Sequence, residues 1–198
     1  PTSVVTEDAW RTFVADVAEL LEIGPDTSVY EVGCGAGAFL YPLHEIGCRV
    51  GGVDSSPAQI AAARAVMPAG DWTLGDAAAL DPGEPWDVVV SMGTFAYFPG
   101  HEYARGVLAR MAAKATGSIA VLDVPDLADQ DAALASRRAA QGADSYDALY
   151  RGLPHLAYGR GWFLRQLAET GVSAVQIGEQ RIAGYGNGPF RFNVFGKG

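Results

Sequence analysis

The stretch Glu31–Phe39 reads EVGCGAGAF and sits between a short apolar run, SVYEV at residues 28–32, and a helix-forming run that begins near Ala38. Three glycines at alternate positions, Gly33, Gly35 and Gly37, fill this strand-to-helix junction. Glycines here let the backbone come close to a ligand with no Cβ in the way. The start of the following helix adds N–H groups that have no partner within the helix. A glycine loop in this context predicts an α/β fold with its ligand at the C-terminal edge of a parallel sheet.

Reading outward supports that architecture. Residues 6–21 place Trp10, Phe13, Val14, Val17, Leu20 and Leu21 at spacings of three and four, the signature of an amphipathic helix. Helix follows over 38–46, with Gly47 just beyond its end, and RVGGV leads to Asp54. Ser56 before Pro57 opens another helix, running to about Val66. DWTL, Trp86–Met92 and 118–123 read as further strands, with a helix over 102–113. These strands are apolar on both faces, as in a parallel sheet covered by helices. Beyond residue 123 the rhythm changes. A helix is expected over 127–141, then a polar and aromatic stretch, so that 126–160 reads as a lid. A helix over 162–169 and strands over 172–178 and within 191–198 close the chain. The GYGNGPF link at 184–190 is too short for a crossover helix, so the last strand is expected to be antiparallel. The result is a doubly wound, mostly parallel seven-stranded α/β sheet in one domain, 1–198.

Composition narrows function. The 198 residues are 49% hydrophobic and 19% charged, enough for a sizeable core. Fourteen basic against 23 acidic residues give a net charge of −9, which disfavours a nucleic-acid partner. Lys114 and Lys197 are the only lysines. Cys34 and Cys48 are too few for a disulfide framework and are expected to be reduced. No apolar run reaches membrane-spanning length, and PTSVVTEDAW lacks the basic and apolar parts of a signal peptide, so a cytoplasmic location with no membrane partner is expected. No His/Cys/Asp spacing suggests a metal, although Asp123 and Asp126 sit near the end of one strand. No Ser-His-Asp signature points to a hydrolase.

Gly33, Gly35 and Ala38 fit the dinucleotide pattern GxGxxA. The tighter spacing of Gly33, Gly35 and Gly37 after Glu31 resembles motif I of the class I S-adenosylmethionine-dependent methyltransferases of small-molecule type. Asp54 lies 17 residues beyond Gly37, Gly75-Asp76-Ala77 follows the third strand, and Ser91 lies near the end of the fourth. With the antiparallel ending, the resemblance runs from Thr6 to Gly198.

The resemblance implies Rossmann-like cofactor binding. Gly33, Gly35 and Gly37 would cradle S-adenosyl-L-methionine, and Asp54 and Ser55 would meet its ribose. Asp76 would accept from the adenine amino group while the Ala77 N–H meets a ring nitrogen. Ser91 belongs to the segment flanking the methionine part. Glu31 either orients the glycine-loop amides or reaches the cofactor's ammonium through water. Asp54 and Asp76 also suit plain loop caps.

The expected activity is methyl transfer to an oxygen or nitrogen of a small-molecule acceptor, of the kind found in specialised metabolism. A methyltransferase acting on RNA or protein, and a nicotinamide-dependent oxidoreductase, are the alternatives. His101 and His155 are the candidate bases, since imidazole titrates near neutral pH. Tyr97, Tyr185 and Asn187 are candidate substrate contacts, being placed at the sheet rim. Arg137 and Arg138 could clamp a carboxylate, yet the acidic residues around them make a solvated helix face the plainer reading.

Overall fold

The computed structural model describes residues 4–142, Ser145, Ala148 and 155–198. Seven strands form one sheet in the order β3-β2-β1-β4-β5-β7-β6. They are β1 (Ser28–Val32), β2 (Arg49–Asp54), β3 (Asp71–Leu74), β4 (Trp86–Met92), β5 (Ala115–Pro125), β6 (Ser173–Glu179) and β7 (Arg191–Lys197). The ladders among β1–β5 are parallel. β7 lies antiparallel between β5 and β6, as the short link before it requires.

Helices cover both faces. α1 (Glu7–Leu20), α2 (Leu40–Glu45) and α3 (Pro57–Val66) pack on one side, where Val29, Val50, Val88, Val90, Ala120 and Leu122 are buried. α4 (His101–Lys114) and α6 (Arg160–Glu169) pack on the other, against Val32, Val89, Val121, Phe192 and Val194. Successive side chains of each strand therefore enter opposite cores, which is why these strands read as continuous apolar runs.

Most element ends agree with the residue-level expectations, and the exceptions have local causes. Thr6 caps α1 by accepting from the Ala9 N–H at 3.2 Å. Ser56 caps α3, with Pro57 in its first position. α2 is shorter than the expected 38–46, because Gly37 (φ +83°) turns the chain before the helix begins. β5 runs two residues past Asp123, since β7 supplies a partner for the longer edge.

The lid region has a built-in anchor. Within it, α5 (Gln130–Gln141) follows a short turn at Leu127–Asp129. The chain then returns to the sheet at Tyr158, which bridges Asp126, and its N–H reaches the Pro125 carbonyl at 2.9 Å. Arg160 Nε contacts the buried Asp126 carboxylate at 2.7 Å. Tyr146 and Tyr150 of the expected lid lie outside the described residues.

Tyr158 holds this return together. Its ring has no exposed surface and packs against Phe95, His101, Trp162 and Phe163, and its hydroxyl donates to the Phe95 carbonyl at 2.9 Å. Removing that hydroxyl leaves the Phe95 carbonyl with the longer bond from the Phe98 N–H, at 3.4 Å. Tyr158→Phe is therefore expected to cost about 0.5–1.5 kcal/mol, the net value of one hydrogen bond, read as a shifted urea midpoint with an unchanged slope. An unaltered midpoint would show that the hydroxyl contributes nothing to the anchor.

Candidate functional site

The strand order reverses between β1 and β4, since β2 and β3 lie on one side and β5 on the other. The crevice beyond such a reversal is where an open α/β sheet binds ligands. The β1–β4 ladder ends at Glu31 and Val90, and beyond it the strands diverge. Ser91 fills the gap: its hydroxyl donates to the Val32 carbonyl at 2.9 Å and its side chain is fully buried. The expectation that Ser91 faces the cofactor is thus corrected, because its one donor is spent within the sheet. Thr94 takes the exposed place. It lines the crevice and its hydroxyl lies 3.2 Å from the Gly33 carbonyl.

The glycine loop is held by β2. Gly33 and Cys34 both donate their N–H to the Val53 carbonyl, at 2.8 and 3.1 Å. Asp54 Oδ2 accepts from the Gly35 N–H at 2.9 Å, and Oδ1 accepts from the Ser56 N–H at 2.8 Å. A Cβ on Gly33 would overlap the Thr94 side chain, and one on Gly37 would overlap the Met67 methyl group. At Gly35 (φ +52°) nothing lies within 4 Å of that position, so this edge of the loop is open and free of side chains.

Glu31 does not orient the loop amides, because Val53 and Asp54 do that. Its side chain is buried and Oε2 has no hydrogen-bond partner among the described residues. Burial first, then the nearby Asp54 charge, pushes its carboxyl well above the usual range. An orphaned buried carboxyl oxygen beside an open glycine edge fits a cationic ligand group.

Two compartments meet at Asp54, Thr94 and Tyr97. The first, about 300 Å³, is lined by Gly33, Ser55, Gly75, Asp76, Ala77 and Tyr103. Here Asp76 Oδ1 accepts from the Ala78 N–H at 2.7 Å and from the Tyr103 hydroxyl at 2.5 Å, which together hold the carboxyl below its usual range, the hydroxyl contributing more. Asp76 therefore caps the short turn Ala77–Ala79, yet both bonds use one oxygen and leave Oδ2 for a ligand. The Ala77 N–H occupies the first position of that turn, where no intrahelical acceptor exists.

The second compartment, about 470 Å³, brings together His155, Tyr185 and Asn187, with Arg137, Asp123 and Arg191. Tyr97 lines both compartments and is 68% exposed, a loose wall that packs edge-on against the His155 ring. Burial, followed by the charges of Arg137 and Arg191, lowers the His155 pKa and keeps the imidazole neutral. His101 is not among the residues lining either compartment. Its Nε2–H donates to the Ala157 carbonyl at 3.1 Å and its ring packs on Tyr158 and Trp162. The expected catalytic role for His101 is corrected accordingly: the residue pins the returning chain.

Asp123 is the prominent residue that sequence reasoning undervalued. It sits where the β5–β7 register shifts, in left-handed conformation (φ +58°), with its N–H held by Asn193 Oδ1 at 2.8 Å. Such an irregularity re-aims a side chain. The carboxylate accepts from the Tyr185 hydroxyl at 2.9 Å and the Gln180 amide at 3.3 Å. Among the described residues no group of three or more His, Cys, Asp or Glu could hold a metal, and no helix is long and apolar enough to cross a membrane.

Residues 29–117 match the family model described as a methyltransferase domain. A trans-aconitate 2-methyltransferase of Paracidovorax citrulli is 31% identical over 126 residues, 61% of this chain and 47% of that protein. A ubiquinone biosynthesis O-methyltransferase of Bradyrhizobium diazoefficiens is 35% identical over 92 residues, 44% of this chain and 36% of that protein. The chain thus spans about half or less of the length of these relatives. Magnesium protoporphyrin IX methyltransferase from Synechocystis PCC 6803, solved with bound S-adenosylmethionine, superposes with TM-score 0.68 at 18% identity, covering 96% of this chain and 80% of that one. The chain shares the fold of that methyltransferase.

Glu31 yields a sign-specific test. A carboxyl whose folded pKa is raised contributes fully to stability below its unfolded value, near 4.5, and loses that contribution as pH climbs toward the folded value. Glu31→Gln cannot ionise. Its melting temperature relative to the parent is expected to be higher at pH 8 than at pH 5. A difference independent of pH would mean that Glu31 is not held protonated.

Proposed function

We propose that this chain, whose residues 29–117 belong to the methyltransferase-domain family, transfers a methyl group from S-adenosyl-L-methionine to an oxygen or nitrogen of a small-molecule acceptor. One observation carries the reading. The shared wall of Asp54, Thr94 and Tyr97 joins a nucleoside-sized compartment, lined by Gly33 of the glycine loop, to a second, polar one.

The residues fit the cofactor's parts. Each Asp54 oxygen accepts one backbone N–H and keeps a lone pair for a ribose hydroxyl, with Ser55 alongside. Asp76 Oδ2 and the Ala77 N–H offer an acceptor and a donor to the adenine edge. The buried Glu31 carboxyl, protonated in the free protein, would release its proton to solvent as the ammonium arrives and so become its counter-charge. Bound S-adenosylmethionine provides an electrophilic methyl group on a sulfonium centre.

The chain's own work is then positioning, water exclusion and proton removal. Tyr185, Asn187 and Tyr97 wall the acceptor. His155, kept neutral by its surroundings, takes the proton that the acceptor atom sheds as its bond to the methyl carbon forms. The narrow polar compartment and the net charge of −9 favour a metabolite over RNA.

Calorimetry with S-adenosylhomocysteine and with NADH tests this. Binding of the first and not the second is expected; the reverse would sink the reading in favour of an oxidoreductase. Asp54→Ala is expected to weaken S-adenosylhomocysteine by about 1.5–3 kcal/mol, the range for a hydrogen bond to a charged group. It should also lower the melting temperature, because two backbone N–H groups lose their acceptor.

A further inference from the structure

We propose a second small-molecule site on this chain: the groove between α1 and the β6–β7 ladder binds an apolar amine. The hydrocarbon body lies on Phe13, Val17 and Phe195, and the ammonium meets the rim carboxylates Asp16 and Glu19. The site shares no lining residue with the two crevice compartments and does not rest on the methyl-transfer reading.

The groove exists because β6 is an edge strand whose two faces are treated differently. Val175 and Ile177 pack into the core beneath α4 and α6, while Ala174 and Gln176 alternate with them and are exposed. On that exposed face a cavity of about 610 Å³ lies between the α1 side chains Phe13, Val17 and Leu20 and the strand residues Gly178 and Phe195. Small-molecule sites span about 300–1,000 Å³. A Cβ added to Gly178 would meet Phe195 Cε2 at 3.6 Å and nothing else within 4 Å, so the space over this strand is open. A glycine inside a strand can mark the close approach of a ligand to the backbone. Asn193, the uncharged polar side chain that lines the groove, is buried and engaged. Its Oδ1 accepts the Asp123 N–H at 2.8 Å and its Nδ2 donates to the Glu179 carbonyl at 3.4 Å. The floor is therefore suited to hydrocarbon.

Charge selects the polar end. The charged side chains lining the groove are Asp16, Glu19, Glu179 and Arg181. Glu179 is bound by Arg160 at 2.7 and 3.0 Å, and Arg160 also holds Asp126. Three carboxylates against Arg181 leave two negative charges, and counting Arg160 together with Asp126 leaves that balance unchanged. The Lys197–Glu22 pair at the Leu20 end cancels itself. Asp16 and Glu19 are exposed on α1, and neither is in an ion pair among the described residues. A cation on an apolar body fits this rim, and an anion is repelled. The same excess opposes a second copy of this chain, whose net charge is −9. A partner helix needs a continuous trough for a rod about 10–12 Å wide, whereas beyond Leu20 and Phe195 the space shrinks to about 50 Å³.

The test titrates 3-phenylpropylamine, 3-phenylpropanol and 3-phenylpropanoate into the protein, with and without S-adenosylhomocysteine, and follows the backbone amides by NMR. The amine is expected to shift the Gly178 and Phe195 amides and to approach saturation by about 10 mM, as a millimolar binder does. It should bind at least about threefold more tightly than the alcohol, the scale of exposed ion pairs, with the acid weakest. Raising the salt from about 0.05 to 0.5 M should narrow that difference. S-adenosylhomocysteine should leave all three affinities within about twofold. The double variant Asp16→Asn, Glu19→Gln, on an exposed helix face, is expected to bind amine and alcohol equally. Gly178→Val, which fills the floor, should lose binding of all three.

Equal affinities of the parent protein for amine and alcohol, tighter binding of the acid, or unmoved Gly178 and Phe195 amides would overturn the proposal. So would shifts confined to Gly35 and Ala77, which would put the amine in the cofactor compartment. A concentration-dependent dimer abolished by Gly178→Val would give the groove to a second copy, and displacement of the amine by a lysine–leucine amphipathic peptide would give it to a partner helix; either result overturns the assignment. Should S-adenosylhomocysteine fail to bind, the methyl-transfer reading falls, while the Gly178 and Phe195 shifts still decide this site.

Discussion

The Asp54 carboxylate accepts the Gly35 N–H with one oxygen and the Ser56 N–H with the other, at 2.9 and 2.8 Å. Those two bonds join the end of β2 to the glycine loop after β1 and to the start of α3. Each hydrogen bond to a carboxylate is worth about 1.5–3 kcal/mol. Without them the loop glycines, chosen for their freedom, would have many conformations to visit. With them, Gly35 is held in its left-handed turn with an open edge free of side chains. The Val53 carbonyl, taking two more loop N–H groups, completes the brace.

Everything functional is arranged around that brace. The strand order reverses beside it, so β1 and β4 part and open a crevice. Ser91 seals the bottom of the gap by satisfying the Val32 carbonyl. Farther along the rim, the break in the β5–β7 ladder turns Asp123 into the crevice and lets Asn193 replace a ladder partner. The returning chain at His155, with Arg137 of α5, then lines the far compartment together with Tyr185 and Asn187. Tyr158 and His101 secure that return with side chains that face packing and backbone partners.

The electrostatics differ between the two ends of the crevice. At the glycine-loop end, carboxyl groups dominate: Glu31 is buried with Oε2 unpartnered among the described residues, Asp54 is braced, and Asp76 is half used. That end suits the hydroxyl, amino and ammonium groups of an aminoacyl nucleoside. At the other end Arg137 and Arg191 stand with Asp123, and burial, then the arginine charges, lowers the His155 pKa. One end thus offers mainly acceptors and the other both donors and acceptors. The contrast arises from side chains carried by different strands of a single sheet.

The sequence by itself determined the order and limits of most strands, the seven-stranded plan with its antiparallel seventh strand, the glycine loop and the rim positions of Asp54, Asp76, Tyr185 and Asn187. Those features depend on local chemistry: apolar runs, capping residues, glycines and short links act within a few residues of themselves. Only the tertiary structure decided which rim residues face the crevice. Ser91 lies on a strand buried on both faces, where alternation carries no information about exposure, so its hydroxyl partner could be known only from the divergence of β1 and β4. His101 and His155 are alike in sequence context, and their roles separate only because the returning chain packs the first against Tyr158 and places the second beside Tyr97. Asp123 needed the register shift against β7, and Arg191 needed Asp123. Such pairings join residues as many as 70 positions apart, and no periodicity within either segment records them.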